Sequence, residues 1–126
     1  MKKIFITLMI CLLCLTVVPS TIFAYFGNFT INANNTYGDR STANTKMDTV
    51  QTAYVNWNGS SASKHYEWFR IVNSDGMVRS DETIFTHLQS RFINERNCVK
   101  NYYYYLQARR ENFWDPLTTV TGTWES

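Results

Sequence analysis

Apolar and polar residues alternate with a period of two along much of this chain. Tyr25, Gly27, Phe29 and Ile31 fall on one side of an extended segment, with Asn28 and Thr30 on the other. The alternation returns over residues 52–57, where Ala53, Val55 and Trp57 share a face. From His65 to Val72 both faces carry large β-forming groups, Tyr66, Trp68, Phe69, Ile71 and Val72, which predicts a central strand. Asn73-Ser74-Asp75-Gly76 follows and predicts a hairpin turn, because Asp-Gly between two β-prone runs supplies the left-handed position such a turn needs. The four tyrosines 102–105 favour a strand over residues 99–109. Tyr102, Tyr104, Leu106 and Ala108 would line one face of it, and Tyr103, Tyr105 and Gln107 the other. The last strand is read over residues 117–124, with Val120, Gly122 and Trp124 on one side and threonines on the other.

Two stretches lack a clean period. Residues 32–48 are rich in Asn, Thr and Ser and read as a long loop or a weak sheet edge. Over residues 81–97, Ile84, Leu88 and Phe92 recur at helical spacing, and Phe85 lies near the same stripe. Ser80 or Asp81 would cap a helix there; Asp81 and Glu82 suit its positive end, and Arg96 its negative end. This segment reads either as one short helix or as irregular or strand structure. The sum is five or six short strands without βαβ alternation: an all-β domain, built as a small antiparallel β-sandwich or open barrel.

Residues 1–24 depart from this pattern. Lys2 and Lys3 precede an apolar run over residues 4–18; Pro19 and Ser20 break it, and Ala24 offers a small residue for cleavage. That is the layout of a secretory signal peptide. It predicts cleavage between Ala24 and Tyr25, export, and a single secreted β-domain over residues 25–126.

Composition then sharpens the picture. All four Trp and all eight Tyr lie after residue 24, enough rings to build the core of a small domain. Two of the twelve basic residues leave with the leader, so the remaining ten balance the ten acidic residues. The pI of about 8.5 belongs to the whole chain, and a neutral domain offers no charge argument for nucleic acid. Cys11 and Cys14 also leave, and Cys98 remains without an intramolecular partner. It reads as a buried small apolar side chain; the alternative is a link to a second copy in a dimer.

Candidate chemistry is sparse. His65, His87 and Cys98 match neither zinc-finger nor HExxH spacing, so no metal and no cofactor is expected. Cys98 with a histidine, or a carboxylate pair drawn from Glu67, Asp75, Asp81 and Glu82, could be arranged into a hydrolase. No motif selects either arrangement. The uneven feature is charge: Arg91, Arg96, Lys100, Arg109 and Arg110 crowd around the tyrosine run with only Glu95 against them. In a regular strand, Lys100 and Arg110 fall at the two ends of a Tyr102/Tyr104 stripe. These four residues are the candidate binding face for an anionic wall polymer or a lipid surface.

The order of the pieces resembles a poorly characterised family of small exported proteins of Gram-positive bacteria. The pieces are the leader, Tyr25-Phe26-Gly27, residues 40–45 (RSTANT), Tyr54-Val55-Asn56, Tyr66-Glu67-Trp68-Phe69, Leu106-Gln107-Ala108-Arg109 and residues 119–125 (TVTGTWE). More distantly, the layout is similar to lactococcin-like secreted bacteriocins. The resemblance implies an exported Gram-positive protein and assigns no catalytic residue. Together these readings predict a secreted, non-enzymatic protein that acts at or binds the cell envelope, bacteriocin-like in layout. The competing expectations are a small secreted hydrolase and a structural protein of the cell surface.

Overall fold

A computed structural model describes residues 26–126; the expected signal peptide and its cut after Ala24 lie outside the described residues. Eight strands form: β1 (Gly27–Ala33), β2 (Asn44–Thr45), β3 (Thr52–Ser60), β4 (Tyr66–Asn73), β5 (Thr83–Thr86), β6 (Ser90–Asn94), β7 (Tyr103–Arg110) and β8 (Thr118–Glu125). They build two four-stranded antiparallel sheets, ordered β1-β8-β3-β6 and β2-β7-β4-β5, as expected for a small all-β sandwich. β4 is internal, as its two apolar faces predicted.

The period-two pattern decides which residues face inward. Phe29, Ile31 and Ala33 on β1, Ala53, Val55 and Trp57 on β3, and Val120 and Trp124 on β8 meet Phe69 and Ile71 of β4 and Leu106 and Ala108 of β7. Rings bridge the sheets: Phe69 lies 6.1 Å from Phe29 and 5.9 Å from Trp57, both edge-on or tilted, the favourable aromatic geometry. Trp57 and Trp124 are fully buried, and Trp68 is largely so. Gly122 sits where β8 passes over Phe29, and a Cβ there would come within 2.0 Å of the Asn56 carbonyl and 2.8 Å of the Phe29 ring.

The hairpin turn forms at the expected place. The Gly76 amide donates to the Asn73 carbonyl at 3.0 Å, and Gly76 takes a φ of 80°. The polar stretch is an edge: Ser41 bonds the β7 backbone at Leu106 through its amide, at 2.8 Å, and its hydroxyl, at 2.9 Å.

The helical reading of residues 81–97 is corrected. Among the described residues there is no helix; β5 and β6 occupy this segment, one in each sheet. They are joined by a short crossing in which Leu88 takes a left-handed φ of 56°. Leu88 and Phe92, two members of the helix-spaced stripe, are exposed, whereas Phe85 and Ile93 are buried. Pairing of β5 with β4 and of β6 with β3 gives two otherwise bare edges a full ladder of hydrogen bonds. That gain outweighs a weak local helical preference.

Candidate functional site

The four residues proposed as one binding face are not brought together. Tyr104 is a core residue, 4% exposed, because the inward alternation of β7 runs through 104, 106 and 108. Its hydroxyl accepts the Val99 amide at 2.7 Å. Tyr102 precedes the strand: Asn101 adopts a φ of 71° and breaks the alternation, leaving Tyr102 exposed. Lys100 lies at this end of β7 and Arg110 at the other, beside β4 at Glu67. Arg110 donates to the Asn35 side chain and to the Asp115 carbonyl.

Most of the remaining cations in this segment already have partners. Arg91 donates to the Ile84 carbonyl at 2.6 Å, and Arg96 pairs with Asp81. Arg109 lies 3.4 Å from Glu82 and over the Trp68 ring at 5.4 Å. Arg70 stacks on Tyr37 at 3.8 Å. The Tyr37 hydroxyl is pushed up to about 12, by burial first and then by Glu82. The cation–aromatic chemistry of the Arg/Tyr segment is thus largely satisfied within the fold.

What remains open is a groove of about 350 Å³ between the β4–β5 turn and the loop before β7. Asp75, Arg79, Asn97, Tyr102 and Tyr103 line it. The loop is rigidly held. Asn97 and Asn101 take left-handed conformations, and the Gln51 side chain clamps Cys98 with bonds of 2.9 Å to its amide and 2.8 Å to its carbonyl. The Asn101 amide donates to the Lys46 carbonyl at 2.8 Å. Tyr102 and Tyr103 are 65% and 61% exposed, and among the described residues neither the Arg79 guanidinium nor the Lys100 ammonium has a partner. The groove offers rings for stacking at Tyr102 and Tyr103, one cation for an anionic group at Arg79, and Asn97 and Asp75 as partners for hydroxyls. Tyr102 was singled out by its place in the tyrosine run, whereas Arg79 and Asn97 carried no such signal and only the fold places them beside it.

Cys98 is buried among Gln51, Glu95 and Arg79, with its thiol 3.5 Å from the Arg79 carbonyl. Burial, and then Glu95, push that thiol up to about 11, so it stays protonated and a weak nucleophile. β6 runs between it and the histidines, which sit at the opposite end of the sandwich. There His65, His87 and Trp57 pack ring against ring at 5.4–5.5 Å. A shallow pocket of about 290 Å³ opens beside His65 and His87.

Beneath these rings lies Glu67, fully buried, with neither carboxylate oxygen hydrogen-bonded. Its Oε1 is 2.9 Å from His65 Nε2, near enough for an ion pair but not aligned for a hydrogen bond. Burial, and then Asp115, push Glu67 up to about 8, while Arg110 pulls it down. His65 Nδ1 is 2.7 Å from the Ser63 carbonyl, which fixes the proton on that nitrogen. A favourable contact between Nε2 and Glu67 therefore needs one further proton, on either residue. A signal for this group was present in the sequence: Glu67 shares the inward parity of Phe69 and Ile71.

Among the described residues no group of three His, Cys, Asp or Glu side chains is arranged to hold a metal ion. Family models, curated proteins and solved structures were all compared with the chain, and none matches it.

Proposed function

We propose that this chain is an exported, non-enzymatic protein that binds an anionic polymer of the bacterial cell envelope through the groove beside Tyr102 and Tyr103. The observation that carries the reading is the pairing of two exposed tyrosines with an unpartnered Arg79 in one rigid groove. Export is supported by the leader-like layout of residues 1–24. The hydrolase alternative draws no support from Cys98, whose thiol is buried and held protonated.

Sedimentation with Gram-positive cell walls, intact or stripped of their anionic polymers, tests the proposal. Intact walls should retain the protein at low salt and release it as salt rises, since exposed charges are screened within about 8 Å at physiological ionic strength. Arg79→Glu with Lys100→Glu should abolish retention, whereas Arg110→Glu, at the far end of β7, should leave groove binding intact if the fold is kept. Retention by stripped walls, or by the double variant, would refute it.

A further inference from the structure

We propose that the loop between β7 and β8 is a membrane-contact tip, whose Phe113, Trp114 and Leu117 enter the interfacial layer of a phospholipid bilayer. This goes beyond the groove reading and does not depend on it, because the loop follows Arg110 at the opposite end of β7.

Phe113, Trp114 and Leu117 are 72%, 70% and 67% exposed, the three most exposed large apolar side chains among the described residues. Exposing three such groups within five residues costs a soluble protein solubility and needs a use. The loop is braced rather than slack. The Asn112 amide donates to Asp115 Oδ2 at 2.8 Å, the Asp115 amide returns to the Asn112 carbonyl at 3.1 Å, and Arg110 binds the Asp115 carbonyl. The Thr118 hydroxyl caps the Pro116 carbonyl at 2.9 Å. These bonds satisfy the Asn112 and Asp115 amides and the Asn112, Asp115 and Pro116 carbonyls, which lowers the cost of moving that part of the loop out of water. No charge interrupts Phe113-Trp114; Arg110 and Glu111 stand where the loop leaves β7, and Asp115, between Trp114 and Leu117, has its carboxylate occupied by the Asn112 amide.

The ring geometry selects the partner. Phe113 and Trp114 meet at 4.9 Å with their planes at 77°. Two perpendicular rings cannot both lie flat on a sugar face, so the pair is a poor glycan platform. It suits an isotropic apolar layer, and Trp in particular favours the bilayer interface.

The experiment uses residues 25–126, which contain all eight strands and the whole core, so that the apolar run of residues 4–18 contributes nothing. The probes are vesicles of phosphatidylcholine alone and of phosphatidylcholine with phosphatidylglycerol. Trp57 and Trp124 are fully buried and Trp68 largely so, which makes Trp114 the residue whose emission should shift to the blue. Phe113→Ala with Trp114→Ala should lower partition by about tenfold or more while leaving the circular dichroism unchanged. Tyr102→Ala with Lys100→Glu should partition like the parent, which separates this proposal from the groove. No partition of the parent into either vesicle, or equal partition by the Phe113/Trp114 variant, would overturn it.

Discussion

Two glutamates are buried at opposite ends of this sandwich, and they are treated in opposite ways. Glu95, just past β6, receives the ammonium of the fully buried Lys46 on one oxygen and the Ser126 hydroxyl on the other. Asp48 stands 3.5 Å from the same ammonium. Among the described residues, Glu67, on β4, has a histidine nitrogen at 2.9 Å and accepts no hydrogen bond. A buried carboxylate is tolerable when its charge and its lone pairs are both met. Where they are not, the group sheds its charge by holding its proton, which is what pushes Glu67 up to about 8. One end of the fold is therefore closed by a fixed ion pair and the other by a group that titrates near neutrality.

The largest expected effect comes from making the two ends alike. Lys46→Met leaves Glu95 buried and without its countercharge, and should cost about 3–5 kcal/mol in urea unfolding. Lys46→Met with Glu95→Leu should recover most of that loss, because the attraction of a buried pair is largely spent on its own desolvation. A double variant as unstable as the single one would show that the pair itself stabilises the fold.

Next comes the pH dependence of stability. Glu67 is raised in the folded chain, from an ordinary value of 4.5 to about 8, so the native state holds the proton more tightly than the unfolded one. Its contribution is fully present below pH 4.5 and is lost as pH rises through 8. The expected loss is on the order of 2–3 kcal/mol across that window. Glu67→Gln should flatten the profile and be the more stable protein at pH 8. A parent whose stability rises between pH 5 and 8 would contradict the assignment.

The same contrast shows what could be read in the chain. The core was legible: strict alternation at Phe29/Ile31, Ala53/Val55/Trp57 and Val120/Trp124 leaves one choice of inward face, and slipping by one residue would bury threonines instead. Glu67 was legible in phase, since it shares parity with Phe69 and Ile71, but its lack of partners is a property of three strands packed together. Lys46 and Glu95 carried no signal at all. They are separated by four strands, β3 to β6, in sequence and meet only because the polar stretch runs back along β7 to the end where β6 stops. The face proposed across Lys100, Tyr102, Tyr104 and Arg110 failed for a local reason: Asn101 in a left-handed conformation resets the alternation just before the strand begins. The segment holding Ile84, Leu88 and Phe92 misled because a helical spacing arises by chance over so short a run, and pairing of β5 with β4 and of β6 with β3 decided against the helix.

The smallest expected effect isolates the loop's hold on the titrating end. Asp115 raises Glu67 and Arg110 lowers it, and the two are themselves joined where Arg110 binds the Asp115 carbonyl. Asp115→Asn keeps an oxygen for the Asn112 amide, so the turn that presents Phe113 and Trp114 should persist. It removes one negative charge from the neighbourhood of Glu67 and leaves Arg110 in place. The midpoint of the stability loss should then move down in pH, with a change in stability at neutral pH below about 1 kcal/mol. Since burial is the larger cause of the shift, the midpoint should stay well above the ordinary glutamate range. A midpoint that fell all the way to that range would mean that charge repulsion, rather than burial, keeps the proton on Glu67.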